Sequence, residues 1–246
     1  MRRRVLGVIG GVGPLSTAYF MEVVIRMTDA SSDQEHLDMV VLNHTEIPDR
    51  TDYILDPRNP NPSPMMQEDA RKLERLGADV IVTPCNTAHY FYAELASAVQ
   101  VPFLHMIDET ALLLRQCRCK RAGILATNGT IASGLFQQSL ASQGIEAVLP
   151  SPRCQQAIME LIYQGIKAGL PLDAGLFRSA ADELRAEGCE RIVLGCTELS
   201  LLKKEYGLDP FYLDAMEVLA MRSIEACEKT VKKEAKLEIF GKPCEA

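Results

Sequence analysis

The segment "GVIGGVGPLSTAYF" (residues 7–20) recurs without a gap as "GILATNGTIASGLF" (123–136), setting Gly7 on Gly123, Gly13 on Gly129 and Phe20 on Phe136. Each copy holds a short apolar run, a glycine-containing turn and a helical stretch. Two more blocks follow in the same order. "GADVIVTPCNTA" (77–88) matches "GCERIVLGCTEL" (188–199), which puts Cys85 on Cys196, and "VPFLHMID" (101–108) resembles "DPFYLD" (209–214), with Asp108 near Asp214. Three blocks in order at nearly constant offset mean two copies of one unit.

Within the unit, apolar runs alternate with helical patterns, the mark of βαβ units and a parallel sheet. "RVLGVIGG" reads as a strand, and "STAYFMEVVIRMT" places Phe20, Val23, Val24 and Met27 on one helical face. "SPMMQEDARKLERLG" opens with Ser63 and Pro64, carries Met66, Ala70 and Leu73 on one stripe and stops at Gly77, and the strand "ADVIVTP" follows at once. The expected fold is α/β: two pseudo-symmetric Rossmann-like domains, each a mainly parallel sheet flanked by helices, with residues 1–115 and 212–246 in the first and 116–211 in the second. In open parallel sheets ligands bind beyond the carboxyl ends of the strands. Each unit supplies a first loop (Gly10 to Gly13; Thr127 to Thr130) and a cysteine loop at that edge, so two facing units bring both cysteines to one cleft.

Bulk properties narrow the function classes. A chain of 246 residues, 47% hydrophobic and 24% charged, fits one large core or two small ones. A net charge of −7 without a basic patch mixed with aromatics argues against a nucleic-acid partner. No stretch suggests a membrane. The start, "MRRRVLGVIGGVG", runs into a glycine loop with no small-residue cleavage site and is read as the first strand. The end, "GKPCEA", has its cysteine one place too close to the terminus for prenylation. Eight cysteines without a signal peptide or regular spacing fit free thiols in a reducing cytoplasm. No CxxC or HExxH pattern supports zinc. Cys117 and Cys119, in "RQCRCKR", are read as exposed and liable to oxidation, and Cys154, Cys189 and Cys227 as core residues.

A cysteine ending an apolar strand is by itself most simply a small buried hydrophobe. The duplication lifts Cys85 and Cys196 above that reading. A helix start lowers a thiol's pKa. One thiolate and one thiol flanking a carbon make a base and an acid: the first removes its proton, the second returns one on the other face, and the configuration inverts. Asn86, Thr87, Thr197 and the glycine-loop N–H groups are uncharged donors suited to a carboxylate, beside their ordinary use in capping and turns. "NHTEIPDRTDYILD" (43–56), without helical periodicity, is expected to be a loop after the second strand, extended by "RNPNPSP". There Arg50 is a bidentate partner for a carboxylate or one half of a surface ion pair with Asp49. Lys167 ends the amphipathic helix "MELIYQGIKAG" (159–169), where a cation complements the helix dipole.

The segments "PCNTAH" and "GCTEL", with "GGVGPLST", "IPDRT", "LATNGT" and "GIKAG", resemble the cofactor-independent aspartate racemases of the aspartate/glutamate racemase superfamily over nearly the whole chain. The resemblance implies two pseudo-symmetric domains, an active site between them, no pyridoxal phosphate, no metal and a cytoplasmic homodimer acting on a small acidic amino acid. It makes Cys85 and Cys196 the catalytic pair. It assigns substrate holding to Gly11, Arg50, Asn86 and Thr87 from one half, and to Thr127, Thr130, Lys167, Thr197 and Glu198 from the other, with Asp49 auxiliary. Glutamate racemases carry Asp-Ser after the first strand and a histidine after the second Cys-Thr, where this chain has Gly10, Gly11 and Glu198. That favours the aspartate-type branch over the glutamate racemases, and the retention of both cysteines with the aspartate-type loops speaks for racemisation over relatives of similar fold that decarboxylate malonates or isomerise maleate. A glutamate or broad-specificity racemase, a non-catalytic bilobed binder of acidic ligands and a thiol redox protein stand as alternatives.

Overall fold

The structure, a computed structural model, describes residues 2–170 and 174–241. The first half runs β1 (Val5–Gly10), α1 (Pro14–Met27), β2 (Asp38–Asn43), α2 (Arg50–Leu55), α3 (Ser63–Arg75), β3 (Val80–Val82), α4 (Tyr92–Ser97) and α5 (Met106–Gln116). The second opens with β4 (Arg121–Leu125), α6 (Asn128–Ser133), α7 (Leu135–Ser142), β5 (Glu146–Val148), α8 (Pro152–Glu160) and α9 (Ala174–Ala186). It closes with β6 (Arg191–Leu194), α10 (Thr197–Tyr206), β7 (Tyr212–Asp214), α11 (Ala215–Ala226) and α12 (Lys233–Phe240). The strands pair in parallel, as β2-β1-β3 and β5-β4-β6-β7. This is the α/β class read from the sequence.

The internal repeat is visible at atomic scale. A Cβ built on Gly7 would lie 3.2 Å from Leu73 Cβ and 3.3 Å from Ile81 Cγ1, and one on Gly123 would lie at the same two distances from Leu184 and Ile192. Each glycine lets a helix, α3 or α9, press its leucine onto the central strand. Neither site has room for a side chain.

Strand alternation divides the core into layers. Leu6, Val8, Val80 and Val82 of the first sheet and Ala122, Ile124, Val193 and Leu213 of the second join one buried cluster with α1, α5 and α11. Ile9 and Ile81 pack outward with Met66, Ala70 and Leu73 of α3. Ile192 and Leu194 pack outward with Phe177, Ala180 and Leu184 of α9. The largest core is thus common to both halves.

The structure revises several expectations. Tyr212–Asp214, placed with the first unit, is the edge strand of the second sheet. The pairing of Asp108 with Asp214 shifts: the Ile81–Phe103 bridge corresponds to the Ile192–Tyr212 pair, and the following helices are capped by His105 and Asp214. The second copy has one more residue between its proline and its cap, so Asp108 falls on Glu217. Residues 50–55, expected in a loop, form α2, because the Asp49 carboxylate accepts from the N–H groups of Thr51 and Asp52 and caps a helix too short to show periodicity. The helix carrying Lys167 widens into a π-turn at Leu161–Ile166. Cys119, expected to be exposed, is buried in the shared core, and its burial pushes the thiol up to about 11. Among the described residues no cysteine is joined in a disulfide, and the terminal "GKPCEA" lies, beyond its Gly241, outside the described residues. Among the described residues no helix is long and apolar enough to cross a membrane.

Candidate active site

The loops after β1, β3, β4 and β6 converge at the carboxyl ends of the two sheets. There they surround a tight chamber of about 10 Å³, and both Cys85 and Cys196 line it.

Cys85 follows β3 in a tight turn. Its carbonyl accepts from Ala88 N–H at 3.2 Å and from His89 Nδ1 at 2.9 Å. Met106 N–H donates to His89 Nε2 at 3.0 Å, so the ring proton sits on Nδ1. Burial, reinforced by His105, pulls His89 down to about 4 and keeps it neutral. A fixed, uncharged imidazole therefore clamps the turn that presents the first thiol.

Cys196 is the N-cap residue of α10. The pKa lowering expected of a helix start is not what the structure delivers. Burial first, then the Glu198 carboxylate, push the thiol well above its ordinary value. Its Sγ–H donates to Glu198 Oε2 at 2.9 Å. Cys196 is held as a protonated thiol.

A guanidinium lies beside Cys85. Arg50, at the first position of α2, is buried and donates from Nη1 to Pro48 O and from Nη2 to Val12 O, both at 3.1 Å. Burial works against its charge. Cys85, Asp49 and Glu198 more than offset this and hold the guanidinium above its usual value. Asp49 caps α2 and lies 3.6 Å from Lys167 Nζ. Its carboxyl is held low by Lys167 and Arg50 against the pull of burial. Lys167 also sits 4.3 Å over the Tyr163 ring. Burial opposes its charge too, but Glu198, Tyr163, Cys196 and Asp49 hold it above the ordinary lysine value. Lys167 follows a π-turn rather than a regular helix end.

Four threonines stitch the halves together at the chamber wall. Thr87 Oγ1 lies 3.0 Å from Thr127 Oγ1 and 2.8 Å from Thr130 Oγ1, and Thr51 Oγ1 donates to Thr127 Oγ1 at 3.3 Å. Gly129 permits the approach: a Cβ there would come within 2.8 Å of Thr51. Most of the residues singled out in the sequence line the chamber: both cysteines, Asp49, Arg50, Asn86, Thr87, Thr127, Lys167, Thr197 and Glu198. Two do not. Thr130 is the hub behind the wall, and Gly11 lies on an outer vestibule of about 330 Å³ with its N–H given to Thr17 Oγ1. The sequence reading missed Val12, Thr51 and Tyr163, which complete the lining. Thr51 directly follows Arg50 inside the "IPDRT" motif, and Tyr163 precedes Lys167 by one helical turn, which was the available signal.

The chamber wall contains polar groups left without partners. Both side-chain polar atoms of Asn86, and Nε of Arg50, are buried with no hydrogen-bond partner among the described residues. Unpaired buried amides are costly in native proteins, so these atoms are available to a polar group entering the chamber.

Comparison with known proteins gives this arrangement its class. The model of the Asp/Glu/Hydantoin racemase family matches residues 9–222. The chain belongs to that family: it is an isomerase, a racemase acting on amino acids. The aspartate racemase of Picrophilus torridus superposes with a TM-score of 0.82 at 32% identity, covering 96% of this chain and 99% of that one. An aspartate racemase homologue from Pyrococcus horikoshii OT3 has the same fold, with a TM-score of 0.74 at 23% identity over 92% of this chain and all of its own. The broad specificity amino-acid racemase RacX of Bacillus subtilis is 29% identical over 225 residues, 89% of this chain and 96% of its length.

Proposed function

We propose that the protein interconverts L- and D-aspartate by two-base proton transfer between Cys85 and Cys196. The observation that carries this reading is the unpartnered Asn86 amide beside the unpartnered Arg50 Nε, in a chamber lined by a thiol from each half. An amino acid answers those groups: its carboxylate accepts from Arg50 Nε and Asn86 Nδ2, and its ammonium donates to Asn86 Oδ1. Proton loss at Cα spreads negative charge into the carboxylate, where fixed donors in a closed site stabilise it. In one direction Cys85, beside the Arg50 cation, takes the Cα proton while Cys196, protonated against Glu198, delivers one to the opposite face. In the other direction the roles exchange. Lys167 supplies the second cation that a dicarboxylate calls for. Incubating the protein with L-aspartate and separating the enantiomers tests this: D-aspartate should accumulate to an equal mixture, and its absence would overturn the reading.

The vestibule supports a broader substrate range as a second reading, because Leu15, Ile47, Ile166 and Leu201 give the path beyond Lys167 an apolar wall. Racemisation of neutral or longer amino acids at rates matching aspartate would favour it. The homodimer implied by the family resemblance belongs to this proposal as well, and sedimentation equilibrium tests it: twice the chain mass is expected, and the mass of one chain would contradict it.

A further inference from the structure

Glu198 has a place in the structure that substrate holding does not explain. One carboxylate oxygen, Oε2, receives the Cys196 thiol proton at 2.9 Å. The other, Oε1, faces Gly13, where a Cβ would come within 2.8 Å of it. Gly13 is part of the outer vestibule, and Glu198 lines both that vestibule and the chamber. The carboxylate therefore spans the wall between a buried thiol and the open cavity. Cys196 itself lines only the chamber.

The repeat makes the feature one-sided. Cys85, Asn86 and Thr87 correspond to Cys196, Thr197 and Glu198, so the residue opposite Glu198 is Thr87. Thr87 is tied to Thr127 and Thr130 and carries no titratable group.

We propose that Glu198 is a proton relay that resets Cys196 between turnovers, joining its thiol to water in the vestibule. The inference rests on the two-thiol reading of the site. A turnover in which Cys85 is the base ends with the proton on Cys85 and with Cys196 as thiolate. Before the next turnover in the same direction, Cys85 must lose its proton to water refilling the chamber and Cys196 must regain one. The relay supplies it in two transfers: vestibule water protonates the Glu198 carboxylate, leaving hydroxide to bulk buffer, and the carboxylic acid passes its proton to the Cys196 sulfur. Charge and protons balance. Turnover in the opposite sense uses the same path outward.

The relay separates two rates that a structural role would change together. Net conversion of one enantiomer needs the reset, whereas exchange between the two pools at equilibrium can proceed by alternating forward and reverse turnovers without it. Glu198→Gln, which keeps an acceptor for the thiol but carries no proton, should slow net initial velocity by about 10²-fold, the scale for losing a positioned proton carrier. Transfer of a ¹³C label between equilibrated L- and D-aspartate should fall far less than the net velocity, because it loses only the carboxylate's influence on the thiol and not the reset, and Glu198→Asp should restore much of the net velocity. A parallel fall in both rates would overturn the inference. A second arm needs no substrate. The S–H stretch of Cys196, isolated in the infrared by difference against Cys196→Ser, should exchange into deuterated water about 10²-fold more slowly in Glu198→Gln, with the Cys85 stretch as internal control. Equal exchange in native protein and variant would overturn the relay. Failure of the native protein to racemise aspartate would count against the function reading alone, while the thiol exchange still decides the relay.

Discussion

Asn86 brings two polar atoms into a closed chamber and leaves both unpaired, an arrangement that costs stability for the sake of a ligand. Asn86→Leu, of similar shape and without polar atoms, is expected to raise the melting temperature of the unliganded protein while reducing kcat/KM for aspartate at least 10²-fold, checked by calorimetry and enantiomer separation. His89 carries a second single-residue consequence. Its folded pKa of about 4 lies below the ordinary histidine value near 6.5, so the unfolded chain binds a proton the folded one refuses. The stabilising contribution is complete above the unfolded value and is lost as pH falls from about 6.5 toward 4. It amounts to something on the order of 3 kcal/mol. Denaturant titrations across that window should show stability falling with acidity, and His89→Gln should flatten the slope.

At the scale of elements, the site depends on two short irregular pieces, α2 and the π-turn, which bring Asp49, Arg50, Tyr163 and Lys167 together. Asp49 both caps α2 and faces Lys167, and two substitutions separate these roles. Asp49→Asn keeps a cap oxygen and should leave the unfolding free energy close to native while impairing catalysis; Asp49→Ala should also lose about 1 kcal/mol in urea unfolding. These pieces explain what was legible in the sequence. Strands, long helices and both cysteine loops announce themselves because periodicity and repetition extend over ten or more residues, and Phe20, Val23, Val24 and Met27 are indeed all buried. A six-residue helix set by one cap, or a π-turn that rotates Tyr163 inward, leaves no such period. Cys119 misled for a different reason: its neighbours are charged, but the chain turns it beneath α5 into the shared core.

For the molecule as a whole, the decisive feature is the core that α1, α5 and α11 share between the two sheets. A duplicated sequence invites the picture of two independent lobes, yet the burial of both sheets against the same helices couples them. Leu219→Ala, at a fully buried position of α11, should cost about 2–5 kcal/mol and accelerate hydrogen exchange in β1 and β4 together, with a single calorimetric transition. The same coupling holds the two strand-end loops around one chamber. Solvent exchange at Cα by the single-cysteine variants is the most direct test. In deuterated water, Cys85→Ala should label only one enantiomer of aspartate and Cys196→Ala only the other, and neither should invert its substrate. Inversion by the variant lacking both thiols, or labelling of both enantiomers by either single variant, would contradict the account.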